Sequence, residues 1–375
     1  MRALFSASLA VCLCGFATAL DDKKEEPKTV AEKFKALQTE FREAASALEK
    51  EFIAAKTPEE KNAIRDKFFA LRPKFAEKAV AIAATDPKDP GAFEAATFAL
   101  LQFGAEGTTA EKAATIIGEH HASNPKLKSM IPNLGQNAGG QKLLKTLHEK
   151  ATDKDVKGAT LYFLAAGMLE EADYPRGGPP MPAEKQAAAF KEAETLLNKA
   201  GKEYGDVEIT TGRGDTKSIA KAVEGQLFFL NNLTVGKVLP DAASEDLDGK
   251  KVKISDYRGK VVVLDIWATW CPPCRAMIPH ERELVKNLKD KPFVFISVSA
   301  DADKDTLVKF LEKEPMPWTH WWAGPKGAPI VDYRVQFYPT IYILDEKGVI
   351  RYKHVREKAM DEAIDKLLKE IKPKS

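Results

Sequence analysis

Cys271 and Cys274 stand in the run Cys271-Pro272-Pro273-Cys274. Two thiols at this spacing can close one disulfide, open it again, and so pass two electrons to or from another disulfide. The β-branched run Val261–Trp267 precedes the pair, and a helical pattern over 272–288 follows it. Cys271 is therefore expected at a strand-to-helix turn, where unpaired N–H groups and the positive end of the helix dipole stabilise a thiolate and lower its pKa. The two-residue spacer lets Cys274 reach back and resolve a mixed disulfide. The two prolines stiffen the turn and leave fewer backbone donors there.

The other two of the four cysteines, Cys12 and Cys14, fall in residues 1–20. That stretch opens on Arg2, runs apolar to Phe16 and closes on Ala17-Thr18-Ala19, which reads as a signal peptide over 1–19. A lipid anchor on Cys14 ranks lower, because Val11-Cys12-Leu13 lacks the small residue usual before such a cysteine. Cleavage leaves a single cysteine pair in an exported, soluble protein, expected in the periplasm or cell envelope. Lysine plus arginine number 57 against 55 for aspartate plus glutamate, a net charge of +2. This balance provides no concentrated basic face for nucleic acid or anionic lipid. With 44% hydrophobic and 30% charged residues, the chain has the composition of a globular protein rather than a disordered one.

The elements that hold the cysteines differ in texture from the rest. Apolar residues at Val30, Phe34, Leu37, Phe41, Ala44 and Leu48 form one stripe of an amphipathic helix. Thr57-Pro58-Glu59-Glu60 is a capping box that opens a second, in which Pro73 is expected to kink or interrupt the run. Together they predict a helical hairpin over 29–84. Over 90–235 the pattern stays helical and β-poor, with helices expected at 92–103, 109–121, 141–150, 156–171, 183–204 and 217–230. A bundle and a tetratricopeptide-like array both fit this stretch, and no fixed repeat period is present. The helical domain as a whole is placed at 29–235. From Gly236 onward short β-branched runs alternate with helices, which predicts one α/β domain over 236–375 with a central parallel strand pair.

Within 236–375 the sequence resembles the TlpA/ResA-like thiol–disulfide oxidoreductases of the thioredoxin superfamily. The run from Val262 to Cys274 (VVLDIWATWCPPC) is similar to that family's strand and active-site segment. Pro279 matches the proline of its active-site helix, and Tyr338-Pro339-Thr340 matches its cis-proline. The 65 residues from Cys274 to Pro339 leave room for a TlpA-like central insert, and the stretch 236–257 resembles the group's N-terminal hairpin. The 29–235 portion resembles no family we recognise. Two positions depart from the pattern: Met277 stands where ResA-like proteins often have glutamate, and Asp265 matches thioredoxin's buried aspartate where many TlpA-like proteins have asparagine.

The resemblance implies reversible disulfide exchange with other exported proteins, with Cys271 as the attacking, exposed thiolate and Cys274 as the resolving thiol. Asp265, in a buried strand, should have a raised pKa and accept the Cys274 proton through water. Trp270, Pro272, Tyr338 and Pro339 are the expected substrate-binding residues. No bound cofactor is required, since the dithiol carries the electrons, and the upstream donor is an unidentified reductant, membrane-bound or soluble. The bland readings are weaker. A zinc site would need His280 or His320 brought in by chance, and Arg275 after Cys274 excludes the haem-attachment motif. Ala268 and Cys271 occupy the threonine position a peroxiredoxin would need. Trp318, Trp321 and Trp322 read as core, and His120-His121 as surface. Two alternatives stay open: a helical docking protein with a redox clamp attached, and a disulfide oxidase or isomerase.

Overall fold

A computed structural model describes residues 29–371 except 136, 176–180 and 212–213. The signal-peptide expectation, with Cys12 and Cys14, lies outside the described residues. The chain forms two compact units, one ending at Glu224 and one running from Gly225. No helix among the described residues is long and apolar enough to cross a membrane.

The first unit opens with α1 (Val30–Ala54) and α2 (Pro58–Thr85). Both begin at a reciprocal capping box: Thr29 and Thr57 each accept from the backbone N–H of Glu32 and Glu60, whose carboxylates accept from the threonine N–H. The ion pairs Lys78–Glu40 and Lys67–Glu51 run in opposite order along the two helices, so the pair is antiparallel. Phe41 of α1 meets Phe68 and Phe75 of α2 at ring-centroid distances of 6.2 and 5.2 Å. Of the two outcomes expected at Pro73, a kink or an interruption, the interruption does not occur: α2 runs on past it. It forfeits one backbone hydrogen bond, and aromatic packing on both sides of it holds the helix.

Six further helices follow: α3 (Pro90–Leu101), α4 (Gly107–His120), α5 (Leu127–Leu134), α6 (Ala138–Lys150), α7 (Lys154–Asp173) and α8 (Ala183–Tyr204). Small residues set their spacing. Ala92, Ala95, Ala96 and Ala99 of α3 are fully buried, and a side chain at Gly167 would come within 2.0 Å of the Gly135 carbonyl oxygen. Two features escaped the sequence reading. Helix α5 carries Pro132 inside it and follows Asn124-Pro125, so its punctuation imitates a loop. Strands β1 (Glu208–Thr210) and β2 (Thr216–Ser218) pair antiparallel within the supposedly β-poor region, too short to show a period. His120 is exposed, as expected, whereas His121 is half-buried: its Nε2 lies 2.9 Å from the Pro87 carbonyl and its ring packs on Phe93.

Helix α9 (Ile219–Asn232) spans the division between the units. The second unit is a seven-stranded sheet in the order β4-β3-β7-β6-β5-β8-β9. Its strands are β3 (Ser244–Asp246), β4 (Lys251–Val252), β5 (Val261–Trp267), β6 (Phe293–Ser299), β7 (Thr319–Trp322), β8 (Thr340–Leu344) and β9 (Ile350–Lys353). β5, β6 and β7 are mutually parallel, while β8 runs antiparallel to β5. Every residue of β5 is buried, as a central strand covered on both faces requires. Its side chains alternate. Val261 and Val263 join a layer with Met277 and Leu284 of α10 (Pro272–Asn287) and with Met360 and Ile364 of α13 (Glu357–Glu370). Leu264 and Ile266 face the opposite layer, with Ile296, Val298, Trp321 and Leu233. β8 and β9 are joined through the turn expected at Glu346-Lys347-Gly348, where Gly348 adopts φ 78°. Helix α11 (Lys304–Lys313) was expected; β7 and the five-residue α12 (Ala328–Asp332) were not. β7 is four aromatic-rich residues, and Trp321 within it is fully buried, in keeping with the core reading of the tryptophans.

Candidate active site

Strand β5 ends at Trp267, and four residues later Cys271 caps the N-terminus of α10 with Pro272 at the first helical position. The Cys271–Cys274 disulfide is closed, with Cα atoms 5.4 Å apart. The backbone N–H of Cys274 donates to Cys271 Sγ at 3.3 Å. Cys271 sulfur therefore sits where a helix start stabilises negative charge. One expectation needs correction: Cys271 is buried, at 4% exposure against 3% for Cys274. In the disulfide its sulfur turns inward to its partner, and Trp267, Ala268, Ile278, Leu307 and Tyr338 pack around the pair.

The turn between β5 and α10 is anchored by Asp301, which the sequence reading passed over. Asp301 is 1% exposed. Its carboxylate accepts from the Thr269 N–H at 3.2 Å, from Thr269 Oγ1 at 2.8 Å and from Ser299 Oγ at 2.7 Å. Its backbone carbonyl accepts from Trp322 Nε1 at 3.0 Å. The segment carrying the cysteines is thus tied to the end of β6. The available signal was an aspartate just past a buried strand, a common enough arrangement to be overlooked.

The expected contact residues gather around the disulfide. Trp270, at 63% exposure, meets Tyr338 edge-on with ring centroids 5.5 Å apart. The Tyr338–Pro339 peptide bond is cis, as the sequence pattern implied, and Pro272 is exposed in the redox turn. Trp267 is 1% exposed and packs on Phe310.

Asp265 lies deeper, two residues before the end of β5, flanked by Ser297 of β6 and Ile341 of β8. It is 3% exposed and its Oδ1 has no hydrogen-bond partner. Burial pushes its carboxyl well above the usual range, and the Arg356 guanidinium pulls it partly back. Glu281 of α10 is equally buried, and its carboxyl is raised by desolvation and by the charge of Asp265. The sequence reading missed Glu281, although it falls on the buried stripe of α10 that also holds Cys274 and Met277. The two histidines weighed as metal ligands are engaged elsewhere: His280 Nε2 with Asp361 at 2.9 Å, and His320 Nε2 with the Met316 carbonyl at 2.8 Å.

Within the helical unit a separate groove of about 1060 Å³ runs along α2, the α3–α4 connection, the start of α6 and the end of α7. Phe69, half exposed, sits at its edge with Glu77, Glu106, Glu170, Glu171 and, among the described residues, a single cation, Arg72.

Residues 234–368 match the Redoxin family. A thioredoxin-like protein, YneN, of Bacillus subtilis is 37% identical over 133 residues, which are 35% of this chain and 78% of that protein. The thiol–disulfide oxidoreductase ResA of Bacillus thuringiensis subsp. konkukian is 30% identical over 142 residues, 38% of this chain and 80% of ResA. A crystal structure of a thiol:disulfide interchange protein, DsbE, from Chlorobium tepidum shares 32% identity, covers 37% of this chain and 97% of its own, and superposes with a TM-score of 0.33. The family match leaves the helical unit before residue 234 uncovered.

Proposed function

The chain belongs, through its C-terminal unit, to the ResA-like thiol–disulfide oxidoreductases of the thioredoxin fold, and we propose that it reduces disulfides of other exported proteins through Cys271 and Cys274. The observation that carries this reading is the cysteine pair at the start of α10, with Cys271 Sγ accepting a helix N–H beside a cis-proline loop. In the reduced protein, the Cys271 thiolate attacks a client disulfide and forms a mixed disulfide, releasing the first client thiolate. Cys274 then loses its proton to Asp265 through water and attacks Cys271 Sγ. The closed Cys271–Cys274 bond forms and the second client sulfur departs, so the client gains two electrons and the dithiol loses them. Asp265 makes no hydrogen bond to either sulfur, which is why a water must intervene. Trp270, Pro272, Tyr338 and Pro339 form the surface on which the client backbone lies. An exported reductant, soluble or held in a membrane, returns the dithiol to its starting state.

The test is insulin reduction with dithiothreitol as electron donor. Purified protein should precipitate the insulin B chain, and Cys271→Ala should abolish this; activity persisting in Cys271→Ala would sink the reading. The spacer lacks the histidine of strongly oxidising sites, which favours reduction over oxidation.

The helical groove supports a second reading, in which the N-terminal unit docks clients for the dithiol. Among the described residues that line it, four carboxylates against one guanidinium suit an extended basic segment with an apolar residue to meet Phe69. Charge reversal at Glu170 and Glu171 should weaken capture of such clients by Cys274→Ala protein while leaving insulin reduction intact. Equal capture by the reversed protein would remove the groove from the account.

A further inference from the structure

The burial of Glu281 has no role in the exchange chemistry described above. It projects from the inner stripe of α10 with Cys274, Met277, Ile278 and Leu284, and that stripe packs on Val261, Val263, Phe295, Ile341 and Ile343 of the sheet. A carboxylate is costly in such a layer, where leucine would serve packing better. Asp265 enters the same layer from β5, because strand alternation sends residues 261, 263 and 265 to one face. Its Oδ1 is left without a hydrogen-bond partner. Two carboxyls thus face one desolvated layer from the two elements that carry the redox turn. Both are held above the ordinary carboxylate range, by burial first and, for Glu281, by the charge of Asp265 as well. Like charges so placed cannot both ionise near neutrality, and such a pair titrates as a unit in two macroscopic steps.

Seven residues of helix separate Glu281 from Cys274, an axial rise of about 10 Å. Glu281 is therefore too deep to touch the sulfur and must act through Asp265. We propose that Glu281 and Asp265 form a buried carboxylate pair sharing one proton, and that Glu281 sets the pH range over which Asp265 takes the proton of Cys274.

This inference rests on the exchange reading above. In the mixed disulfide the Cys274 S–H proton passes through water to the singly protonated pair. Cys274 sulfur attacks Cys271 Sγ, the bond from Cys271 to the client sulfur breaks, and the client sulfur leaves with the electron pair and takes a proton from solvent. The pair, now holding two protons, returns one to solvent. The surrounding groups do not take over this task. Arg356, before α13, is the cation that Asp265 feels, and His280 of α10 is committed to Asp361 of α13. On β6, Ser297 Oγ accepts from Trp318 Nε1; on β7, His320 is held to the Met316 carbonyl with its pKa lowered by burial. Thr340 of β8 donates to the Phe337 carbonyl.

The experiment uses full-length reduced protein carrying Cys12→Ser and Cys14→Ser, so that Cys271 and Cys274 are its two thiols, mixed with 5,5′-dithiobis(2-nitrobenzoate) in stopped flow. The first thionitrobenzoate released reports attack by Cys271, and the second reports resolution by Cys274. The resolution rate of the wild type, followed from about pH 5 to 10, should show two inflections, and Glu281→Gln should show one. Glu281→Leu, which removes the buried acid and keeps the packing, should also show one, and covers the case in which the glutamine variant folds poorly. Difference infrared spectra over the same titration should lose one protonated-carboxyl band in Glu281→Gln. A purely structural Glu281 would leave the inflections and the bands as they are in the wild type, and that result overturns the proposal. Cys271→Ala reports on the exchange reading separately through insulin reduction: if it still reduced insulin, that reading would fail, whereas an unchanged Glu281→Gln profile with Cys271→Ala inactive on insulin would defeat the pair alone.

Discussion

The two units bury different kinds of atoms. Among the described residues, the buried polar or charged side chains of the helical unit reduce to Thr160, which back-bonds to the Lys157 carbonyl. The α/β unit buries Thr234, Ser244, Asp265, Glu281, Ser297, Ser299, Asp301, His320, Thr340 and Asp345. The helical unit is alanine and leucine inside and salt-bridged outside, with pairs such as Lys154–Asp206 and Lys126–Glu94 lying in solvent, where they contribute little. Buried polar groups cost free energy unless partnered. A region that carries ten of them is shaped for more than stability, and four of the ten, Asp265, Glu281, Ser299 and Asp301, lie beneath the disulfide or anchor the turn that bears it. The helical unit has shape and surface to offer instead.

The largest effect expected from this contrast is on activity. Cys271→Ala should remove insulin reduction entirely, and reversing Glu170 and Glu171 in the helical groove should leave it unchanged, both read by insulin turbidity. A loss in the groove variant would mean that the helical unit takes part in generic exchange, and the division of labour would have to be redrawn. Next comes Asp265→Asn, which should slow resolution of the mixed disulfide about 10- to 100-fold near neutral pH, while formation of that disulfide proceeds nearly unaltered. Equal rates for both steps across the neutral range would show that Cys274 loses its proton to solvent directly.

Much of this was legible in the sequence, for reasons the residues make plain. The redox turn was readable because a seven-residue apolar strand, two cysteines and a helix start are all local features. The cis-proline could be placed because Tyr338-Pro339-Thr340 is a contiguous signature. Asp301 and Glu281 were not legible, because what makes each of them matter is distant in sequence: Asp301 acts on Thr269, and Glu281 faces Asp265. The expectation of an exposed Cys271 failed for a related reason, since exposure depends on Trp267 and Tyr338 closing over a formed disulfide. In the helical unit the periodic helices were found and only the eight-residue α5 was missed, because its prolines mimic loop punctuation.

Stability provides a smaller and more local test. Asp301→Ala would strand the Thr269 N–H, Thr269 Oγ1 and Ser299 Oγ together and should cost about 2–4 kcal/mol in denaturant unfolding. Thr160→Val in the helical unit, which keeps the shape and leaves the Lys157 carbonyl in its helix, should cost less than about 1 kcal/mol. If the two costs were equal, the contrast in buried polarity would carry no energetic weight. The boundary between the units can be tested on the same scale. Phe229 of α9 packs against the α/β core and lies under Lys353 Nζ at 4.8 Å. A fragment starting at Asn231, just ahead of the boundary that sequence texture suggests at Gly236, should therefore be about 1–2 kcal/mol less stable than one starting at Gly225. Matching melting curves for the two fragments would show that the first half of α9 belongs wholly to the helical unit.

The smallest effect is a slope in stability with pH. Asp265 and Glu281 have carboxyl pKa values raised in the folded protein by burial, so between the unfolded and folded values the native state binds more protons than the unfolded chain. Under linkage, stability then falls as pH rises. The contribution is fully present below the ordinary carboxylate range and is lost as pH climbs through the raised values, at most about 1.4 kcal/mol per pH unit for each proton. Paired surface acids such as Asp153 and Asp206 in the helical unit have lowered values and slope the other way, losing stability on acidification. The α/β unit should therefore weaken toward alkaline pH and the helical unit toward acid. Urea titrations of the full chain, followed by tryptophan fluorescence, isolate the former, because all five tryptophans (Trp267, Trp270, Trp318, Trp321 and Trp322) lie in the α/β unit. In Glu281→Leu the alkaline loss should be shallower, since one of the two protons is gone. A wild-type slope retained in that variant would mean that Glu281 stays ionised in the fold, and the shared proton with it would have to be abandoned.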